Sequence, residues 1–168
     1  VLGICGPQGS GKSTLAAAIA GDAGTRGIAA AALSLDDLYL TRAEREVLAD
    51  EVHPLLRTRG VPGTHDVALG LGVLEALQRG EPAPLPRFDK ARDDRVPLAE
   101  WGRAPENCEL LIFEGWCVGA RPQAPEALRV PVNDLEARED TEERWRTYAN
   151  DALAGPYQHL FSQIDTLL

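Results

Sequence analysis

Residues 6–14 read Gly6-Pro7-Gln8-Gly9-Ser10-Gly11-Lys12-Ser13-Thr14, and the first eight of them match the pattern G-x-x-x-x-G-K-[ST]. An apolar run from Val1 to Cys5 precedes the motif, and a segment rich in alanine with helical character follows from Ser13 to Ala20. In this context glycines let successive backbone N–H groups face phosphate oxygens, and the positive end of the following helix adds to the same site. The motif therefore predicts a phosphate-binding loop (P-loop) between a strand and a helix, and we expect the whole stretch to contact a nucleoside triphosphate. Lys12 is expected to reach the β- and γ-phosphates, and Ser13 to ligate magnesium.

The order of strands and helices indicates an α/β fold with three layers and a mainly parallel sheet. We expect the first helix to close at Gly21 and Gly24, and residues 27–35 to form a second strand that pairs in parallel with the first. Residues 110–113 form the next buried strand, residues 134–163 are mostly helical with an interruption at Gly155-Pro156, and Ile164 begins a further strand. With 168 residues, of which 44% are hydrophobic, the chain is expected to be a single domain over residues 1–168.

Between these elements, Thr41 and Glu44 match a capping box for a helix from Arg42 to about Asp50. Asp66 is expected to cap the helix that follows it. Residues 80–106 are rich in proline and charge, so we expect an irregular excursion that contributes side chains rather than core.

Carboxylates follow two of the predicted strands. Asp36 and Asp37 end the second strand, and Glu114 ends the apolar run Leu110–Phe113 in the manner of a Walker B strand. The carboxyl ends of parallel strands form the ligand-binding edge of such a sheet. Asp36 is therefore the candidate general base for an acceptor hydroxyl, and Ser13, Asp36 and Glu114 are the candidate magnesium ligands.

Two loops are dense in groups that could bind a small polar acceptor. Residues 59–66 read RGVPGTHD, and residues 85–95 read LPRFDKARDDR. The substrate-binding candidates in them are His65, Asp66, Asp89, Lys90 and Arg95. The alternative is a solvated surface, with Asp66 serving only as a helix cap and His65 as a surface residue.

Charge and composition exclude several classes of partner. The formal net charge of −9 and the absence of a basic stripe argue against nucleic acid, and no apolar run is long enough to span a membrane. The acidic stretch from Glu136 to Glu143 is interpreted as a solvated helix face. Three cysteines without C-x-x-C spacing fit a reduced, cytoplasmic protein in which Cys5 is buried in its strand.

Five segments occur in the order GPQGSGKST, SLDDLYLT, RGVPGTHD, LPRFDKARDDR and FEGWCVGARPQ. Together they resemble the D-glycerate 3-kinase-like P-loop kinases, relatives of uridine kinase, pantothenate kinase and phosphoribulokinase, and the resemblance runs from residue 1 to residue 168. It implies ATP as phosphoryl donor, magnesium, and a small hydroxyl compound as acceptor, D-glycerate being the named one.

Carried over to this chain, the resemblance places Asp36 next to the acceptor hydroxyl and Glu114 near magnesium. Asp89, Lys90 and Arg95 fall in the segment that corresponds to the acceptor pocket. Such kinases carry a lid arginine and adenine contacts beyond the point at which this chain ends, so we expect a fold that is incomplete at its C-terminus. Two alternatives stay open, a uridine or pantothenate kinase-like acceptor specificity and a nucleotide-dependent ATPase or switch without a metabolite acceptor. The sequence does not predict an oligomeric state.

Overall fold

The fold is described by a computed structural model that covers residues 1–168. Its strands are β1 (Leu2–Cys5), β2 (Ala30–Ser34), β3 (Pro84–Leu85), β4 (Phe88–Asp89), β5 (Asp94–Arg95), β6 (Gly102–Arg103), β7 (Leu110–Gly115) and β8 (Thr166–Leu167). Its α-helices are α1 (Lys12–Thr25), α2 (Arg42–Glu51), α3 (Val67–Gln78), α4 (Asp134–Glu139), α5 (Arg144–Ala152) and α6 (Gln158–Phe161).

The central sheet is entirely parallel and has the strand order β2-β7-β1-β8. The expected α/β class with a parallel sheet is confirmed, but the expected pairing of β2 with β1 is wrong, because β7 lies between them. In this register Glu114 of β7 lies beside Ile4 of β1 and Ser34 of β2. The segments that leave these three strands therefore start at one edge of the sheet.

The three-layer arrangement follows from the alternation of side chains along β7. Leu111 and Phe113 pack into the main core, on the face covered by α3 and α6. Ile112 points to the other face, where it packs with Ile4 of β1 and Ala16 of α1. Since each face of the sheet is covered by helices, β7 is a continuous apolar run rather than an alternating one.

Helix α1 is longer than the sequence suggested. It continues through Gly21 and Gly24 to Thr25, so the expected closure at these glycines is wrong. A glycine inside a helix costs only about 1 kcal/mol relative to alanine, and the surrounding alanines favour the helix. The chain leaves the helix at Gly27, whose φ of 77° lies in the left-handed region that glycine adopts without strain.

The two predicted helix caps between β2 and α3 are confirmed. The Thr41 hydroxyl accepts a hydrogen bond from the Glu44 N–H at 3.3 Å, and the Glu44 carboxylate accepts one from the Thr41 N–H at 2.7 Å. The Asp66 carboxylate accepts from the Leu69 N–H at 2.9 Å and begins α3. Both helices start where their sequence signals place them.

Residues 80–106 contribute more to the core than expected. The short strands pair in two antiparallel ladders, β3 with β6 and β4 with β5. Ala83 and Ala104 are buried in the main core, and Phe88 is buried against the Tyr39 ring. The expectation that this excursion supplies only side chains for a site was therefore wrong in part.

The C-terminal third is helical and interrupted at Gly155, as expected, since Gly155 leaves the helical region of φ and ψ. Strand β8 begins at Thr166, two residues after the predicted start. The interpretation of the acidic stretch as a solvated helix face fails at Asp140, which is only 1% exposed and pairs with Arg146 at 2.9 Å. A local charge pattern does not reveal an ion pair that tertiary packing buries.

Cys5 is exposed, contrary to the expectation of a buried strand residue, and its thiol donates to the Trp116 carbonyl oxygen at 3.4 Å. It is the last residue of β1, at the point where the chain leaves the sheet, so the following segment does not cover it. Cys117 is buried instead. None of the helices has the length and apolar character needed to cross a membrane.

Candidate active site

The P-loop joins β1 to α1 through a turn that depends on two glycines. Gly9 and Gly11 have φ angles of 77° and 87°, in the left-handed region where other residues are strained. Helix α1 begins directly after Gly11, at Lys12. The first N–H groups of a helix have no partner within it, so the start of α1 presents donors and a positive dipole end at this loop.

The two functional side chains at the start of α1 already have partners. The Lys12 ammonium donates to the Pro7 carbonyl oxygen at 2.9 Å, which holds it along the loop. The Ser13 hydroxyl donates to the Glu114 carboxylate at 2.8 Å, and Glu114 is only 4% exposed. The pairing joins residues that are 101 positions apart and brings the Walker A serine to the Walker B carboxylate, as their sequence roles require.

The donor set at this point fits magnesium. A serine hydroxyl and a buried carboxylate are hard oxygen ligands, and no histidine or cysteine lines the cavity that they face. Three or more such side chains do not cluster here into an all-protein cage. Magnesium that binds phosphates usually takes only one or two protein carboxylates and completes its shell from phosphates and water, so this sparse set is the expected one.

Asp36 and Asp37 lie in a 3-10 turn that follows β2, and they point to different partners. The Asp36 carboxylate pairs with the Lys90 ammonium at 2.6 Å. Asp37 accepts from the Phe88 N–H at 3.0 Å and lies 3.5 Å from Arg87, so it anchors the excursion of residues 80–106. Burial raises the pKa of Asp37, against the opposing effect of these two partners. Of the two carboxylates, Asp36 is therefore the one available to a ligand.

A cavity of about 790 Å³ lies at this edge of the sheet, and its lining is predominantly polar. The sequence-predicted residues that line it are Gln8, Gly9, Lys12, Ser13, Asp36, Lys90 and Glu114. They come from the P-loop, from the end of β2, from the turn between β4 and β5 and from the end of β7. The remaining predicted loop residues, Gly6, Pro7, Ser10, Gly11 and Thr14, shape the P-loop without lining the cavity.

Four of the residues predicted to bind the acceptor do not line this cavity. Asp66 caps α3 and pairs with Arg95 at 3.3 Å, and Arg95 also donates to the Tyr39 carbonyl oxygen. Asp89 accepts from two N–H groups of its own turn. The Asp66–Arg95 pair therefore links the two loops, and Asp89 stabilises its own turn, so none of the three side chains faces the cavity.

His65 is the fourth, and the interpretation of it as a surface residue is wrong. It is 5% exposed, stacks on Tyr39 with ring centroids 4.3 Å apart, and its Nδ1 lies 2.6 Å from the Tyr157 hydroxyl. The same hydroxyl accepts from the Gly63 N–H at 2.9 Å, and His65 Nε2 is buried without a hydrogen-bond partner. Burial lowers the pKa of His65 to about 3, so the ring is neutral at pH 7.

Several lining residues were not predicted. Arg42, Glu46 and the segment Arg57–Gly60 face the cavity, together with Asp93 and Trp116. Arg59 is the first residue of the segment RGVPGTHD, in which the sequence analysis named only His65 and Asp66 as candidates. The available signal was the pair of arginines at positions 57 and 59, close to an acceptor loop in an acidic chain.

Comparison with known proteins gives the same assignment as the geometry. No family model matches the chain. The uncharacterized kinase mug58 of Schizosaccharomyces pombe is 38% identical over 177 residues, which cover all of this chain and 63% of that protein. The chloroplastic D-glycerate 3-kinase of Arabidopsis thaliana is 33% identical over 147 residues, or 81% of this chain and 32% of that protein. Both relatives are kinases by name, and the chain is similar to the first of them over its whole length.

Solved structures show the same similarity to D-glycerate 3-kinase. The D-glycerate 3-kinase of Cryptococcus neoformans superposes with a TM-score of 0.79 at 29% identity, over 99% of this chain and 61% of that one. A possible uridine kinase from Bacillus stearothermophilus, at 18% identity and a TM-score of 0.52, shares the fold alone. The chain spans between about a third and two thirds of the length of mug58 and the two D-glycerate 3-kinases.

Proposed function

We propose that this protein is an ATP-dependent kinase that transfers the γ-phosphoryl group of Mg-ATP to a hydroxyl of a small metabolite, with D-glycerate as the first acceptor to test. The observation that carries the proposal is the convergence of Lys12, Ser13, Asp36 and Glu114 on one polar cavity. The names of the relatives, D-glycerate 3-kinase among them, support the same reaction and this acceptor.

On the donor side, the P-loop would bind the triphosphate. Its backbone N–H groups and the start of α1 supply donors, and the Lys12 ammonium would exchange the Pro7 carbonyl oxygen for phosphate oxygens. Ser13 and Glu114, with Asp36 directly or through water, would hold magnesium. When bound, magnesium supplies charge neutralisation on the phosphates.

On the acceptor side, Asp36 would accept a hydrogen bond from the acceptor hydroxyl and take its proton as the oxygen attacks in line. The Lys90 ammonium, 2.6 Å from this carboxylate, fixes its orientation. Asp37 does not line the cavity, and its two oxygens accept from the Phe88 N–H and from Arg87. The arrangement therefore distinguishes the two adjacent carboxylates.

In the deciding experiment, the full-length protein is incubated with Mg-ATP and one acceptor at a time: D-glycerate, uridine, pantothenate or ribulose 5-phosphate. Phosphorylated product is measured by mass spectrometry, and ADP formation is measured in parallel. Product from D-glycerate with matching ADP supports the proposal. ADP formation without any phosphorylated acceptor would instead indicate an ATPase or switch.

A further inference from the structure

Three arginines line the cavity, and Arg59 differs from the other two in its surroundings. Its side chain is 28% exposed, against 52% for Arg57 and 67% for Arg42. Arg57 is matched by Glu46 at 2.6 Å, whereas Arg42 lies 3.9 Å from the same carboxylate. Arg59 is therefore the most enclosed of the three cations.

Contacts on several sides fix the Arg59 guanidinium. It pairs with the Asp93 carboxylate, lies 3.4 Å from the Lys90 carbonyl oxygen, and sits 5.5 Å from the centre of the Phe88 ring. A cation over an aromatic face is attracted by the ring electrons and loses rotamer freedom before any ligand arrives. A guanidinium held in this way loses little further entropy when it binds an anion.

The charges around Arg59 do not balance. The Asp93 carboxylate also pairs with Arg45 at 3.0 Å, and Arg45 is 1% exposed. Two guanidinium groups thus share one carboxylate, while the neighbouring Lys90 and Asp36 neutralise each other. Partial burial raises the pKa of Asp93, but hydrogen bonds from Arg45 and Arg59 lower it further than that, so the carboxylate stays charged. One positive charge at the cavity wall remains without a counter-ion.

Resting on the kinase function proposed above, we propose that Arg59 binds the anionic group of the acceptor, a carboxylate or a phosphate, and that buried Arg45 positions Arg59 through Asp93. The planar guanidinium fork matches the two oxygens of such a group, and a neutral acceptor would leave the surplus charge unpaired. Arg59 is then the residue that selects acidic hydroxyl compounds over neutral ones such as uridine or glycerol.

Arg45 is suited to the positioning role because its donors bind carbonyl oxygens in three separate segments. They are those of Leu40 at 3.2 Å, Arg57 at 2.7 Å and Asp93 at 2.6 Å. Each segment carries or adjoins lining residues of the cavity. A buried charge without these partners would be strongly unfavourable, so the four contacts, including the Asp93 carboxylate, hold the acceptor wall as one unit.

The test measures binding separately from turnover. D-glycerate and, in a second arm, ribulose 5-phosphate are titrated calorimetrically into the full-length protein with magnesium and a non-hydrolysable ATP analogue. Arg59→Met should weaken binding of whichever anion the wild type prefers by about 10–100-fold, and leave the affinity for the ATP analogue within about threefold. Arg59→Lys, which keeps the charge but not the fork, should fall between. Arg79→Met, which removes an exposed arginine paired with Glu81 away from the cavity, is the matched control and should change nothing.

The positioning role is tested with Asp93→Asn, which keeps the size of the side chain but breaks the charge link between Arg45 and Arg59. It should raise the acceptor KM by about 5–20-fold with the ATP KM unchanged. Equal loss for both substrates would mean that Asp93 serves only the fold, and would overturn the positioning claim.

Three results would overturn the Arg59 assignment. They are unchanged anion binding in Arg59→Met, an equal loss of affinity for the ATP analogue, and a wild type that binds neither anion. If the wild type binds an anion through Arg59 but phosphorylates nothing, the proposed kinase function fails and the anion site stands.

Discussion

The Tyr157 hydroxyl connects the C-terminal helical segment to the loop of residues 59–66. Removing this hydroxyl tests how much the contact contributes to stability. The side chain is 1% exposed, and its oxygen accepts from the Gly63 N–H at 2.9 Å and lies 2.6 Å from His65 Nδ1. Tyr157→Phe leaves His65 Nδ1 buried without a partner and removes the acceptor of the half-buried Gly63 N–H, and each such loss costs about 1–3 kcal/mol. We therefore expect the free energy of unfolding to fall by about 2–6 kcal/mol, with a fall in Tm of roughly 4–24 °C for a domain of this size.

Urea unfolding followed by circular dichroism measures the change. Tyr148→Phe is the matched control, because the Tyr148 hydroxyl makes no hydrogen bond within the protein and its loss should cost less than about 0.5 kcal/mol. If Tyr157→Phe and Tyr148→Phe destabilise the protein equally, the Tyr157 hydroxyl does not stabilise the contact between the loop of residues 59–66 and the C-terminal helices.

Two further predictions concern the P-loop and pH. Lys12→Ala should reduce phosphoryl transfer to the background while the circular dichroism spectrum and Tm stay unchanged, and residual activity above about a tenth of wild type would contradict the role of Lys12. His65 has a pKa of about 3 in the fold and one near 6.5 when unfolded, so acid protonates the unfolded chain first and favours it. Its contribution to stability is complete above pH 6.5 and declines from there to about pH 3, by about 1.4 kcal/mol per pH unit, a slope that His65→Gln should lack in a series of urea titrations.

The elements that the sequence predicted well are those with local signals. A few adjacent residues are enough to predict each of these elements: the P-loop, the caps at Thr41 and Asp66, and the apolar strand β7. All of them lie where the sequence analysis placed them. The same edge of the sheet brings Ser13 to Glu114, because parallel strands end together. The donor half of the candidate site was therefore accessible from the sequence.

The acceptor half was less accessible, because long-range contacts decide it. Burial of His65 depends on Tyr157, 92 residues away, and the insertion of β7 between β1 and β2 has no local signature. Arg45 looks like any polar residue of an amphipathic helix, yet it is 1% exposed and binds three other segments. Loop residues such as Asp89 and Arg95 carry suitable chemistry, but the packing of the two loops turns them away from the cavity.

The central claim is that Asp36 takes the proton of an acceptor hydroxyl, and Asp36→Asn tests it most directly. The change keeps the size of the side chain but removes its basicity and its charge pairing with Lys90. Acceptor phosphorylation and acceptor-independent ATP hydrolysis are measured side by side in wild type and variant, with affinity for the ATP analogue as a check on the donor site. Phosphorylation should fall by about 10²–10⁴-fold, while nucleotide affinity changes by about tenfold at most. An Asp36→Asn variant that phosphorylates its acceptor within about threefold of wild type would contradict the account.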